Sequence, residues 1–260
     1  MACSKVKYGF FNLIDQETTD IIASSENAFF PASNIADARS TKVYRSATGT
    51  LTANVVFDFK TTEEVDFLAV RPNLETGFGF IGDLTIEANF VNEWSSPPYS
   101  TTLSVNSEHG LGSKLLDSDE SYRFWRVSGT GSSYFEISGM YIGKAFVPGK
   151  NVSMQWSYQN VDLSKRSENV EGQVFIDKYG SRKEIQQSIK LLTKEEMALI
   201  DASLNYIGEN KPFWMVMDDL ELFSMDKERF AGVFYLSNTP RFTNIAFGLY
   251  NTSLTMREAK

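Results

Sequence analysis

The side chains best suited to hold a ligand stand in one loop, Asn92–Ser100 (NEWSSPPYS), where Trp94 and Tyr99 sit among hydroxyls, an amide and two prolines. Rings on loops serve as platforms for the C–H faces of sugars, with neighbouring amides and hydroxyls as hydrogen-bond partners. Trp94 and Tyr99 are therefore the candidate ligand-binding residues. The competing reading of Trp94 is a plug at the end of a β-sandwich.

Catalytic sets are harder to assemble. His109 is the single histidine, so histidine-based acid–base chemistry would rest on it alone. Its setting, SVNSEHGLGSK, reads as a solvated loop. Asp218, Asp219 and Glu221 (in MVMDDLELF) cluster carboxylates of the kind that glycoside hydrolysis or a hard cation uses. Adjacent residues of a strand point to opposite faces, however, so Asp218 and Asp219 do not face one substrate. No Gly-x-Ser-x-Gly elbow and no Cys–His pair occurs. GFGFIG at Gly77–Gly82 spells G-x-G-x-x-G, but LTIEANF follows it, a strand where a dinucleotide site needs a helix. GTGSS at Gly129–Ser133 lacks the lysine and helix of a phosphate loop. Asp37 and Asp58 offer oxygen ligands to calcium, yet scattered loop acids are ordinarily just solvated. The expectation is a protein that is not an enzyme, with no catalytic residues, no cofactor and no metal.

These residues need a scaffold, and the scaffold reads as mainly β. In LTANVVFDF, Leu51, Val55, Phe57 and Phe59 fall on alternate positions, the period of a strand with one face inward. Val65, Phe67 and Ala69 repeat this in EVDFLAVRPN, as do Leu84, Ile86, Ala88 and Phe90 in the next run. SYRFWRVSGTG and YFEISGMYIGKAF are two further strands about a Gly-Ser turn. Many short strands with Gly, Pro, Ser and Asn turns argue a β-sandwich or jelly roll. At VPGKN, Val147–Asn151, the pattern changes. QVFIDKYGSRKEIQQSIKLL reads as a hairpin turning at Tyr-Gly-Ser. LTKEEMALIDASLNYIGENK reads as a helix with Thr193 as N-cap, Glu196 at N3 completing a capping box, Met197, Ile200, Leu204 and Ile207 on one face, and Gly208 as the stop. PFWMVMDD, RFAGVFYL and NIAFGLYNTSLTMRE then read as strands. The expected organisation is an N-terminal arm or strand (1–20), a β-sandwich (21–148) and an α+β domain with a β-barrel-like sheet and one helix (149–260).

Composition agrees with a folded, β-rich chain: of 260 residues 42% are hydrophobic, with 20 Phe and 11 Tyr. A formal net charge of −8 repels phosphate backbones, so nucleic acid is not an expected partner. Cys3 is the single cysteine, which excludes an intrachain disulfide and suits a reducing compartment. No run has the pattern of a signal peptide or the roughly 18 apolar residues of a membrane span. The chain is expected to be made and folded in a cytoplasm, without membrane insertion.

Three segments together resemble the discoidin-like, galactose-binding-like jelly roll. AFFPASNIADARSTKVYRS is similar to that family's opening, a Pro-x-x-Asn-Ile-x-Asp lead-in running to an aromatic-Arg-Ser. LTANVVFDFKTTEEVDFLAVRPN resembles its next strand pair, and YRFWRVSGTG with YFEISGMYIGKAF its closing strands. This resemblance, over Ser25–Phe146, implies that the irregular lead-in closes one end of a jelly roll. The second part, Val152–Leu254, resembles the hub domain of tailed-phage distal tail and minor tail (baseplate hub) proteins, through its strand leading to LTKEE, its helix, a Pro-aromatic strand and an aromatic-x-Gly strand. That family usually places the hub domain first; here it comes second. The resemblance implies a virion structural protein of a phage tail tip or baseplate. It would assemble as a ring, hexamer or trimer, with other phage tail proteins as partners, and carry a peripheral jelly-roll lobe facing host-surface glycan. The virion tail would be its location and the host cytoplasm its place of synthesis. The alternatives are a stand-alone carbohydrate-binding module and, further off, a glycan hydrolase.

Overall fold

A computed structural model describes residues 6–37, 39, 41–73, 79–105, 111–150, 156–170, 173–217 and 231–259. The first strands are β1 (Val6–Asn12), β2 (Asp20–Ala23), β3 (Tyr44–Arg45), β4 (Thr52–Arg71), β5 (Ile81–Asn89), β6 (Tyr99–Leu103), β7 (Gly112–Thr130), β8 (Glu136–Ile137) and β9 (Gly139–Phe146). Then follow β10 (Ser157–Asp162), β11 (Lys165–Glu168), β12 (Val174–Asp177), β13 (Ser181–Leu192), the helix α1 (Lys194–Ile207), β14 (Phe213–Met217), β15 (Ala231–Leu236), β16 (Thr243–Ala246) and β17 (Leu249–Glu258). The chain is thus mainly β with one α-helix among the described residues.

Two compact units result: Met1–Val147 with Phe213–Gly232, and Pro148–Pro212 with Val233–Lys260. The sequence reading placed one cut near 148 and an arm before 21. Here the chain leaves the first unit, returns to it at β14, and leaves again. The physical reason is pairing. β14 runs antiparallel to β1 with Val6 opposite Met217 and Gly9 opposite Trp214, and all five β14 residues are buried.

In the first unit the strand order is β14-β1-β9-β4-β7-β5-β6, with β2 also on β4. The two long strands β4 and β7 build both layers. Their first ladder pairs Thr52–Asp58 with Phe124–Thr130, and their second pairs Phe67–Val70 with Gly112–Leu115. Between them the register shifts twice, and Lys60 takes a φ of 68°. The two stretches expected as separate strands are therefore one bent strand. The bend folds the sheet over a single core: Val55, Phe57, Trp125, Val127, Leu84 and Ile86 from one layer meet Leu68, Val70, Met140 and Ile142 from the other. This is a jelly-roll β-sandwich. Leu84, Ile86 and Ala88 point inward as their alternation requires, whereas Phe90 lies exposed beyond the strand end.

The irregular lead-in is pinned at many points. Ala32 N–H donates to Glu26 Oε2 (3.0 Å), Asn34 Nδ2 to the Val43 carbonyl (2.8 Å) and Tyr44 Oη to the Ser25 carbonyl (2.6 Å). Ala32 and Ile35 are buried in the core. Irregular backbone can sit against a core only when its polar groups find such partners.

In the second unit the sheet order is β10-β13-β17-β15, with β16 on β17. The expected Tyr-Gly-Ser hairpin does not form, because β12 pairs with β11 while β13 pairs with β10 and β17. The hairpin turns instead at Asn169, whose N–H donates to the Gln173 carbonyl (3.0 Å). Gly180, at φ 82°, is a kink in one arm of that ribbon. The helix is as read. Glu196 N–H donates to Thr193 Oγ1 (3.2 Å) and Thr193 N–H to Glu196 Oε2 (2.8 Å). Ile200, Leu204 and Ile207 are buried, Met197 partly so, and Gly208 ends the helix at φ 53°. No described helix is long and apolar enough to cross a membrane.

Candidate functional site

The loop after β5 is anchored at its root by Asn89. Its Oδ1 accepts from Phe90 N–H (2.7 Å), and its Nδ2 donates to the Glu93 carbonyl (2.6 Å). Beyond this anchor Trp94 lies over the Arg126 guanidinium, with Cζ 4.5 Å from the ring centroid. Its indole Nε1–H donates to Asn92 Oδ1 (2.7 Å). Arg126 is itself fixed, donating from Nε (2.8 Å) and Nη2 (2.5 Å) to Glu87 Oε2. Glu87 and Arg126 stand directly opposite each other on β5 and β7. A carboxylate, a guanidinium and an indole are thus stacked outward from the sheet, a cation–π arrangement that holds the ring in place.

Tyr99 is placed differently. Ala88 pairs with both Tyr99 and Trp125, so these three share the inward face. The Tyr99 ring lies 5.8 Å from Trp125 and 6.3 Å from Tyr122, and burial raises its phenol pKa above the ordinary value. Trp125 and Arg126 are neighbours on β7 and face opposite ways. Trp94 and Tyr99 therefore sit on opposite sides of the sheet. The structure does not bring them together as one platform.

A second constellation lies where β3 meets β8, the two residues of each strand pairing Arg45 with Glu136. Arg45 Cζ is 4.2 Å from the Phe30 centroid and 4.2 Å from that of Tyr134. Its Nε donates to Glu136 Oε2 (2.5 Å), the carboxylate side chain being 0% exposed and the arginine 20%. Asn73 Nδ2 donates to the other oxygen, Oε1 (2.7 Å). Gly79, at φ 57°, lets its loop pass so close that a Cβ there would lie 2.5 Å from the Glu136 carbonyl oxygen.

The remaining candidates are distributed as follows. Asp58 accepts from Arg123 Nε (2.8 Å) and Nη2 (2.9 Å) and from Lys60, and the Arg123 hydrogen bonds hold its carboxyl well below the usual range. Asp37 accepts from Arg39, which likewise lowers its pKa. Among the described residues no three His, Cys, Asp or Glu side chains converge as a metal site. Cys3, His109, Asp218, Asp219 and Glu221 lie outside the described residues.

Sequence reading named Trp94 and missed Glu87, Arg126, Arg45 and Glu136. Alternation does place Glu87 and Arg126 outward, because Ala88 and Trp125 point inward. Their adjacency depends on the β5–β7 register, which nothing local encodes.

No family model and no curated protein matches the chain. Among solved structures, it is similar over about half its length to the family 32 carbohydrate-binding module of Clostridium perfringens NanJ in complex with galactose. That match has 16% identity and a TM-score of 0.43, and covers 53% of this chain and 98% of that one. The lectin domain of lectinolysin complexed with Lewis B antigen gives 12% identity, a TM-score of 0.43, and coverage of 50% and 95%. A Streptococcus pneumoniae fucose-binding module gives 13%, 0.44, 52% and 98%. Likeness of this extent assigns no ligand to this chain; the jelly roll described above rests on its own strand order and core.

Proposed function

We propose that the protein is a non-catalytic carbohydrate-binding protein whose jelly-roll unit engages host-surface glycan at Trp94. The observation that carries this is the immobilised indole, stacked on Arg126, which Glu87 fixes in turn. A ring held in this way needs little ordering when a sugar face stacks on it, which favours affinity. Exposed Asn92, Ser95 and Ser96 surround it with hydrogen-bonding groups. Tyr99 packs on the inward side of the sheet against Trp125 and takes no part in this ledge. A glycan array selects the ligand, and an NMR titration follows the Trp94 indole N–H. The resonance is expected to move, and Trp94→Ala to weaken binding about tenfold or more, the worth of roughly 1.4 kcal/mol of stacking. Retention of no glycan, or full affinity in a folded Trp94→Ala variant, refutes the reading.

A second, compatible reading concerns the other unit: a ring subunit of a phage tail tip or baseplate, resident in the virion tail and folded in the host cytoplasm. One observation favours assembly. Every residue of the β11–β12 ribbon is exposed, including Phe175 at 54% and Ile176 at 58%. A two-stranded ribbon is marginal alone, and exposed apolar patches mark interaction surfaces. Light scattering over a concentration series tests it: a discrete trimer or hexamer that Phe175→Asp dissociates supports assembly, and a wild-type monomer at every concentration removes that support.

A further inference from the structure

The second unit holds a cleft of about 150 Å³ at the C-terminal end of α1. The helix lends it Asp201 and Leu204, β15 lends Leu236, and the segment after β15 lends Thr239, Pro240 and Phe242. Leu204 and Leu236 are buried, and Pro240 and Phe242 partly so, which makes the floor apolar. The rim is acidic. Asp201 is exposed, and its Oδ2 accepts from Asn205 Nδ2 (3.4 Å). Just past the helix, Glu209 Oε1 accepts from Thr239 Oγ1 (3.2 Å), which ties the segment after β15 to the helix end.

The charge balance decides what the cleft accepts. The carbonyl end of a helix carries partial negative charge that a basic residue in the last turn ordinarily offsets, and the last turn of α1 has none. Lys211 lies over the Tyr206 ring (4.0 Å) and Arg241 is exposed. Among the described residues no cation pairs with Asp201 or Glu209. An anion is repelled here, and by the chain's net charge of −8. A hard metal ion needs converging oxygen ligands, and among the described residues no three acidic, His or Cys side chains converge. What fits is an organic cation with a slender apolar stem, which lies along an apolar floor while its charge meets the acidic rim. We propose that the cleft binds a primary alkylammonium group, with the ammonium at Asp201 and the helix end and the chain across Leu204, Leu236 and Phe242. The site shares no residue with the Trp94 loop and rests neither on glycan binding nor on assembly.

The test is an NMR titration of the full chain, reading the methyl resonances of Leu204 and Leu236 and the ring of Phe242. n-Pentylammonium chloride is the probe, and n-pentanol its uncharged counterpart at matched ionic strength. The amine is expected to shift all three residues at millimolar concentration, with the alcohol at least several-fold weaker. Added sodium chloride should weaken the amine and not the alcohol. Asp201→Asn, at an exposed position that leaves the capping box and the buried face of α1 intact, is expected to weaken the amine several-fold and leave the alcohol unchanged. Two further probes separate the sources of such a group: cadaverine stands for a free diamine and N-acetyl-lysinamide for the lysine of a partner protein. Tighter binding of cadaverine, with the advantage lost in Glu209→Gln, supports the site with a free diamine as its ligand. Equal or tighter binding of the lysinamide supports it with a partner's lysine. Unmoved resonances, an alcohol that binds as tightly as the amine, or undiminished amine affinity in the folded Asp201→Asn variant overturns the proposal.

Discussion

Removing the Glu136 charge tests whether the ion pair holds the end of the jelly roll together. Glu136→Gln keeps the shape and leaves Arg45 without its anion. Breaking a buried pair by removing one partner costs about 3–5 kcal/mol. Arg45 retains 20% exposure of its side chain and can recover some hydration, so the lower end, about 3 kcal/mol, is expected. For a unit of this size each kcal/mol lowers the unfolding midpoint by roughly 2–4 °C, giving a fall of about 6–12 °C. Near-ultraviolet circular dichroism follows it, since Trp125 lies in the same core. Arg45→Met leaves the buried Glu136 carboxylate without its guanidinium, and should cost at least as much. The double variant decides the matter. It should be more stable than the sum of the singles by about 2 kcal/mol, because the second substitution removes the charge that the first had stranded. Additivity within about 0.5 kcal/mol would refute the coupling and make Arg45 a packing residue.

Two further outcomes follow from the hydrogen bonds. Thr193→Ala removes the acceptor for Glu196 N–H and should destabilise the second unit by about 1 kcal/mol in urea unfolding, with Thr193→Ser nearly neutral. Asp58 has a folded pKa below its unfolded value because Arg123 donates to it. Its contribution is therefore complete above about pH 4 and is lost as pH falls below that. Asp58→Asn should lower stability at neutral pH and flatten the acid limb of the curve; an unchanged limb would mean that the pair is fully screened.

Much of the architecture was legible locally. The helix was fixed from Thr193 to Gly208 by its caps, since capping involves residues three or four apart. The inward sets Leu84, Ile86 and Ala88, and Val55 and Phe57, were fixed by a period of two. Tyr-Gly-Ser misled, because a glycine with positive φ serves equally as a turn or as a kink, and only the partner strand tells them apart.

The amino-acid sequence by itself determined a mainly β chain with one capped helix, a jelly-roll-like order in its first part, and an aromatic loop at Trp94. Tertiary structure alone decided that Trp94 and Tyr99 lie on opposite faces, that Phe213–Met217 returns to the first unit, and that Arg45 meets Glu136 across 91 residues. The reason is common to all three. Faces and caps are properties of neighbouring residues, whereas register and long-range pairing emerge only when the whole core is closed.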